Sequence, residues 1–304
     1  QTGTKNVKEL RYSKIMVMTD QDTDGFHIKS LLINFIDSGW PDLLKKSIFV
    51  ESLLTPIIKV SRRNEIRQFY NIPDYQNWKK TTENNWNIKY YKGLGTSTAK
   101  EAKEYFKSMQ TVGYSSTTVS DRSAIDLAFN KTEADSRKEW ILNATKNFKS
   151  LDYKQKVISI EELINQELVL FSIQDNVRSL PSLVDGLKPS QRKILFACFK
   201  KNPTSKSEIK VSQLSGYVSE HSSYHHGEAS LMETIINMAQ DFVGSNNMNL
   251  LHPSGQFGSR ILGGKDASSP RYIFTYLSEN INKLFDPTDA HLLDYLNDDG
   301  QSIE

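Results

Sequence analysis

Apolar and polar positions alternate along this chain with two distinct periods. Lys14-Ile15-Met16-Val17-Met18 is an apolar run of strand length, and after the polar stretch Thr19 to Gly25 come Ile28, Leu31, Leu32, Phe35 and Ile36, whose spacing predicts a helix starting near Phe26. Strand, acidic turn and helix in succession form the αβ-type unit in which function collects at the carboxyl end of a strand. Ile48 to Leu54, Ile57 to Val60 and Ile66 to Tyr70 read as further strands, with Arg62-Arg63-Asn64-Glu65 as a hairpin turn. Tyr90 to Ser97 is a glycine-containing turn, and Thr98 with Glu101 makes a capping-box pattern that opens a helix through about Met109.

Asp121 to Trp140 and Ile160 to Ser179 look helical and connecting, the second carrying Leu163, Ile164, Leu168 and Phe171 on one stripe until Pro181 breaks it. Pro189 to Lys201, Val211 to His221 and Glu228 to Phe242 are three more helices, followed by a Gly/Ser/Asn-rich stretch with short apolar runs near Leu250 and Ile261. Three small helices followed by a hairpin make the winged variant of the helix-turn-helix. The expected architecture is therefore α/β over residues 1–118, connecting helices over 119–178 and a mainly α winged-helix domain over 179–304.

Length agrees with this division, since 304 residues suit roughly two domains of about 150. A hydrophobic content of 38%, with 10% aromatic residues and 38 Lys+Arg against 36 Asp+Glu, separates the chain from disordered sequences. The single cysteine, Cys198, excludes an internal disulfide and a cysteine-type zinc site, which points to a reducing compartment. No apolar run approaches the roughly 20 residues that span a bilayer. Gln1-Thr2-Gly3-Thr4 is neither a signal peptide nor a natural start, so the chain reads as a soluble piece of a longer protein that engages no membrane.

The net charge of +2 conceals an uneven distribution. Lys188, Arg192, Lys193, Lys200, Lys201, Lys206 and Lys210 face one acid, Glu208, between Gly186 and Val211, whereas six acids and no Lys or Arg follow from Leu284. A local basic stretch of this kind suggests a face for a polyanion, with a solvated helical face as the plainer alternative.

Asp20, Asp22 and Asp24 alternate through the first acidic turn, so their carboxylates can converge on one hard cation. An EF-hand is excluded, because its twelfth position would be Leu31 rather than Glu and a strand precedes the loop. A single aspartate would suffice to cap the helix, and three crowded carboxylates repel unless a cation neutralises them. Mg²⁺ is therefore the expected ligand, and its preference for few carboxylates plus phosphate oxygens points to a phosphoryl substrate.

Thr19-Asp20-Gln21-Asp22-Thr23-Asp24-Gly25 with His27-Ile28-Lys29 resembles the metal-binding half of the TOPRIM fold, a Rossmann-like parallel sheet, in type IIA DNA topoisomerases. Tyr91-Lys92-Gly93-Leu94-Gly95-Thr96-Ser97, Asp185 to Lys193, Tyr224 to Glu228, and Gly264 to Ile273 resemble further motifs of that family in the family's order. The continuous chain and His225-His226-Gly227-Glu228 favour the eukaryotic or large-DNA-virus subtype over bacterial gyrase. By the resemblance, residues 1–118 are a TOPRIM domain lacking its first strand and glutamate, and residues 179–304 run into the start of the tower region.

The resemblance implies that Tyr272 attacks a DNA phosphodiester, assisted by Arg271, Arg192, His226 and a Mg²⁺ held by Asp20, Asp22 and Asp24, with a two-metal site as one form. A phenol of pKa near 10 needs nearby cations and a base to act at neutral pH. Arg137, Lys138, Lys193, Gln213, His225 and Lys265 are the expected DNA contacts, made mainly to phosphates and so with little sequence selectivity. Further implications are double-stranded DNA as partner, a homodimer that cuts both strands, and ATP bound outside these residues to drive passage of a second duplex. A location in the nucleus, or in host cytoplasm or nucleus for a virus, goes with them. These residues alone are expected to bind DNA but cleave it poorly. A non-catalytic winged-helix binder and another TOPRIM enzyme, a primase or nuclease, share parts of the pattern.

Overall fold

The computed structural model describes residues 10–46, 48–82, 85–91, 93–201, 207–224, 226–298 and 301–304. Two compact units make up the chain, Gln1–Asn176 and Val177–Glu304.

In the first unit, β1 (Ile15–Val17) leads into α1 (Thr23–Gly39), α2 (Pro41–Lys46) and β2 (Val50–Leu53). The start of α1 is set by Asp22, whose carboxylate accepts from the Gly25 N–H at 2.7 Å and satisfies a donor that the first helical turn leaves open. Capping thus begins the helix three residues ahead of the apolar pattern. The buried face also differs from the expected stripe: Phe26, Lys29, Ile33, Ile36 and Asp37 point inward, while Ile28, Leu31 and Phe35 are exposed. Two of the inward residues are charged, and both find partners, Glu167 for Lys29 and Arg122 for Asp37. That pairing is what lets a polar position share an apolar face.

β3 (Ile58–Arg62) and β4 (Glu65–Phe69) form the expected hairpin, with Arg63 at φ +53° in its turn. Together with α3 (Ile72–Lys80) and β5 (Asn87–Tyr90) they make a small antiparallel sheet of order β4-β3-β5 over Ile58, Val60 and Tyr75. α4 (Ala99–Ser108) starts on the predicted capping box, in which Thr98 N donates to Glu101 at 2.9 Å and Glu101 N donates to Thr98 Oγ1 at 3.3 Å. β6 (Thr111–Ser115), α5 (Val119–Phe129), α6 (Ala134–Lys146), β7 (Val157–Ser159) and α7 (Ile160–Leu163) follow, then a π-helical turn, Ile164–Leu168, and α8 (Val169–Ser179).

The main sheet has the order β1-β2-β6-β7. Parallel pairing joins β1 to β2, with Ile15 opposite Val50, and β6 to β7, with Gly113 opposite Val157; β2 and β6 are antiparallel, with Val50 opposite Tyr114. The sheet is therefore mixed rather than wholly parallel. Val50, Val112, Tyr114, Ile158, Leu163 and Ile164 close its core. At about 1.5–3 kcal/mol for each fully buried large side chain, this layer fixes the strand end from which the acidic turn emerges. Ala124 and Ile125 of α5 belong to the same core, so residues 119–176 pack with the α/β sheet.

In the second unit, α9 (Pro189–Lys201), β8 (Ile209–Lys210), α10 (Val211–His221) and α11 (Glu228–Ala239) appear where the sequence placed three helices. They pack around Ile194, Leu214, Val218, Leu231 and Ile235. β9 (Leu251–Ser254) and β10 (Phe274–Leu277) complete the antiparallel sheet β8-β10-β9, and α12 (Ile281–Leu284), β11 (Asn297–Asp298) and β12 (Gln301–Ser302) end the chain. The run near Ile261 is not the second strand of the wing: Ile261 is exposed in a series of tight turns, and Phe274–Leu277 pairs with β9 instead.

Candidate functional site

Asp20 leaves the carboxyl end of β1, and two backbone features hold it. A Cβ on Gly25 would stand 1.9 Å from the Asp20 carbonyl oxygen, so the loop closes only on glycine. Gly93, at φ +156°, lies against the Asp20 carboxylate, where a Cβ would come within 2.9 Å of Oδ2. Asp20, Gln21 and Asp22 line a cleft of about 100 Å³ with Tyr91, Gly93 and Ser97.

Glu101 anchors the far wall of that cleft. It is buried and accepts hydrogen bonds from the Tyr91 hydroxyl at 2.6 Å, Lys89 Nζ at 2.8 Å and Thr98 N at 2.9 Å. Burial alone would raise its pKa, but the bonds from Lys89, Tyr91 and Thr98 outweigh it and hold the carboxyl well below the usual range. Burial, reinforced by the bond to Glu101, pushes the Tyr91 phenol far above its ordinary value. Tyr91 is thus a fixed neutral donor rather than a nucleophile.

The three aspartates do not converge. Asp22 is turned to cap α1, Asp24 sits in the helix's first turn and does not line the cleft, and among the described residues no group of three or more His, Cys, Asp or Glu side chains is gathered to hold a metal ion. Helix capping, the competing use of an aspartate in this turn, takes Asp22, and the glycine-closed loop fixes Asp20. A pair remains, Asp20 and Asp22, beside Gln21 Nε2, which is buried without a hydrogen-bond partner. Two hard carboxylates fit Mg²⁺, which completes its shell with water and phosphate oxygens, and the Gln21 amide N–H, a donor rather than a metal ligand, suits an oxygen of that shell.

In the second unit, Tyr272 stands on a turn pinned by the start of α10. Ser212 N donates to Pro270 O at 3.2 Å, Val211 N donates to Ile273 O at 3.1 Å, and Tyr272 N donates to Ser269 O at 2.9 Å. Donors at a helix start, which have no intrahelical partner, thereby hold the loop, while Ile273 plugs the core and Tyr272 is 69% exposed. The Arg271 guanidinium lies 5.7 Å from the Tyr272 ring centroid. Cys198, the other conventional nucleophile, is buried, and burial pushes its thiol up to about 12.

Arg192 is gripped by Asp185, with Nε–Oδ2 at 2.9 Å and Nη2–Oδ1 at 3.0 Å, and by Glu304 at 3.1 Å. Lys193 donates to Ser222 O at 2.6 Å and reaches the other Glu304 oxygen at 3.3 Å. Lys188, Gln191, Lys193, Tyr224 and His226 line a groove of about 630 Å³, with the His226 ring edge-on to Tyr224. Gln213 lines a separate cleft with Tyr217 and Tyr276, and Lys265 is exposed in a turn. In the first unit, Arg137 donates to Leu127 O and Asn130 O at the end of α5, and Lys138 pairs with Asp135 at 2.7 Å. His225 lies outside the described residues. Sequence reasoning singled out Glu101 only as a cap and missed Asp185 and Glu304, whose partners are set by tertiary contact.

Two family models match the chain: the A-subunit family of DNA gyrase/topoisomerase IV over residues 178–304, and the C-terminal associated domain of TOPRIM over residues 53–176. DNA topoisomerase 2-alpha of Gallus gallus is 56% identical over 99% of this chain, and that of Homo sapiens is 54% identical over 98%. The chain spans about a fifth of the length of these relatives, 20% in each case. The Plasmodium falciparum topoisomerase II DNA-binding, cleavage and re-ligation domain superposes with a TM-score of 0.77 at 49% identity, covering 99% of this chain and 41% of that one.

Proposed function

This chain belongs to the type IIA DNA topoisomerases, and from that premise we propose that it cuts and rejoins duplex DNA by transesterification to Tyr272. The phenol oxygen attacks a backbone phosphorus, the bond from that phosphorus to the leaving deoxyribose oxygen breaks, and the phenol proton passes to a base. One phosphodiester replaces another, so the cut is close to isoenergetic and reversible. The observation that carries this reading is the presentation of Tyr272: an exposed phenol on a rigid turn, with the Arg271 guanidinium beside it.

Arg271 stabilises the developing charge on the phosphate, and a guanidinium does so without its own proton moving. His226 and Lys193 share a groove suited to the adjoining backbone, and Arg192 joins them by exchanging Glu304 for a phosphate oxygen. Asp20 and Asp22 would hold Mg²⁺, which supplies further charge neutralisation at the phosphate. Lys265 and Gln213 are DNA contacts in the second unit. Arg137, Lys138 and His225 keep the DNA-contact roles implied by family resemblance, the first two with part of their hydrogen-bonding capacity spent within the protein, while Asp24 stands in the first turn of α1 outside the Asp20–Asp22 cleft. A homodimer with two composite sites, strand passage driven by ATP bound elsewhere in the full-length protein, and a nuclear location complete the proposal.

Plasmid relaxation by the full-length protein, with and without ATP, tests it. Tyr272→Phe is expected to abolish linear and relaxed products while DNA affinity stays within about twofold. Retained relaxation would assign the chemistry to another nucleophile.

A further inference from the structure

The inward face of α1 carries a buried charge that the cleavage reading does not use. Lys29 is 1% exposed, and its Nζ lies 2.5 Å from Glu167 Oε2, itself 2% exposed. The Tyr153 hydroxyl bonds to the other oxygen of Glu167, and the ammonium sits 5.1 and 5.3 Å from the ring centroids of Phe26 and Tyr114. Burial alone would lower the Lys29 pKa, but the contacts with Glu167 and Tyr114 more than reverse this and raise it above the ordinary lysine value.

Two contacts nearer the helix start follow the same line. His27 stacks on Phe171 with centroids 3.9 Å apart and planes at 11°, and the Thr23 hydroxyl bonds to the Gln174 side chain. Residues 23, 27 and 29 of α1 thus meet 174, 171 and 167 in reverse order, all within seven residues of Asp22. Glu167 lies in the π-helical turn Ile164–Leu168, and such turns shift the phase of a helix and concentrate at functional sites.

A buried ion pair is poor stabilisation, since well-packed apolar residues of the same volume often do as well or better. What it supplies is a fixed geometry: rotation or sliding of α1 would strand two charges. A helix anchored at three successive points cannot turn about its axis or shift along it, and the carboxylates at its start move with it.

We propose that Glu167, Phe171 and Gln174 are positioning residues that set the start of α1, and with it the Asp20–Asp22 pair, for cation binding. The inference rests on the reading of that cleft as a cation site. Lys29→Met/Glu167→Gln removes both charges and keeps the volume, and Gln174→Ala is an exposed change that leaves the core untouched. In the nucleotide-free full-length protein, two quantities are measured for each variant: amide hydrogen exchange over residues 22–28, and Mn²⁺ affinity by electron paramagnetic resonance.

The expected result is a double variant with unfolding temperature close to that of the parent, at least tenfold faster exchange over 22–28, and Mn²⁺ bound about tenfold more weakly. Gln174→Ala is expected to show a smaller change in the same direction. Unchanged exchange over 22–28 in a folded double variant would overturn the proposal, as would unchanged exchange in Gln174→Ala should the double variant not fold. A parent protein that binds no Mn²⁺ would sink the cation reading, while exchange would still decide whether the three residues position the helix.

Discussion

Replacing Glu101 by alanine removes the acceptor around which the wall of the acidic cleft is built. The Tyr91 hydroxyl loses its 2.6 Å bond while the ring stays buried, which costs about 1–3 kcal/mol as an unsatisfied donor. Losing the return half of the capping box at Thr98 adds about 0.5–1 kcal/mol. Lys89, 41% exposed, re-enters water and contributes about 0.5 kcal/mol. The sum is close to 3 kcal/mol, and in a unit the size of Gln1–Asn176, at about 2–4 °C per kcal/mol, unfolding should come roughly 6–12 °C lower. All four tryptophans of the chain, Trp40, Trp78, Trp86 and Trp140, lie in that unit, so its tryptophan fluorescence, excited selectively over tyrosine, reports on that unit. The folded Glu101 pKa is depressed, so its contribution is complete above the unfolded value of about 4.3 and fades as pH falls below it. The Ala variant should therefore differ most from the parent at neutral pH and converge with it in acid. Tyr91→Phe should cost about 1 kcal/mol alone and little more in the Glu101→Ala background, because the two changes remove one shared bond. A Glu101→Ala transition within 2 °C of the parent at pH 7, or a difference that grows in acid, would refute this account of the wall.

Gly93→Ala should leave the unit folded at a cost of about 1–3 kcal/mol from its backbone angle, yet weaken Mn²⁺ binding at least tenfold, because the new Cβ displaces the Asp20 carboxylate; calorimetric titration against Mn²⁺ measures this. Asp185→Asn should lose about 1–2 kcal/mol at neutral pH by weakening the bidentate grip on Arg192. Burial would raise the Asp185 pKa, but the Leu187 N–H and Arg192 bring it below the ordinary value, so the deficit should vanish as pH falls through the carboxylate range in urea titrations at pH 3 to 7. Lys265→Ala should weaken binding evenly across duplex sequences and lower the slope of log affinity against log salt by about 1, as read by fluorescence anisotropy.

The elements that the pattern predicted best are those whose local chemistry and tertiary environment agree. α4 begins where Thr98 and Glu101 write a capping box, and α9, α10 and α11 start within a residue of their sequence boundaries because short polar turns separate single-sided apolar faces. α1 shows what the pattern could not carry. Its exposed Ile28, Leu31 and Phe35 repeat at the same spacing as its buried residues, and the inward face includes Lys29 and Asp37, which enter a core only because Glu167 and Arg122 meet them from far along the chain. The strand β10 follows a long series of turns, so a hairpin of ordinary length pointed to Ile261 instead. The site divides the same way. Asp20, Asp22 and Tyr272 were candidates from their motifs, and a capping aspartate was open to a local reading that Asp22 fulfils, whereas the hold of Glu304 on Arg192 and Lys193 depends on contacts that spacing does not encode.

The most direct measurement is the chemical identity of the protein–DNA link. Full-length protein is mixed with a duplex and Mg²⁺, stopped with denaturant and digested with protease, and the peptide remaining on the DNA is sequenced by mass spectrometry. The expected product is a 5′ phosphate ester on the Tyr272 oxygen, absent from the Tyr272→Phe protein. A link through any other residue, or an adduct that survives Tyr272→Phe, would contradict the assignment.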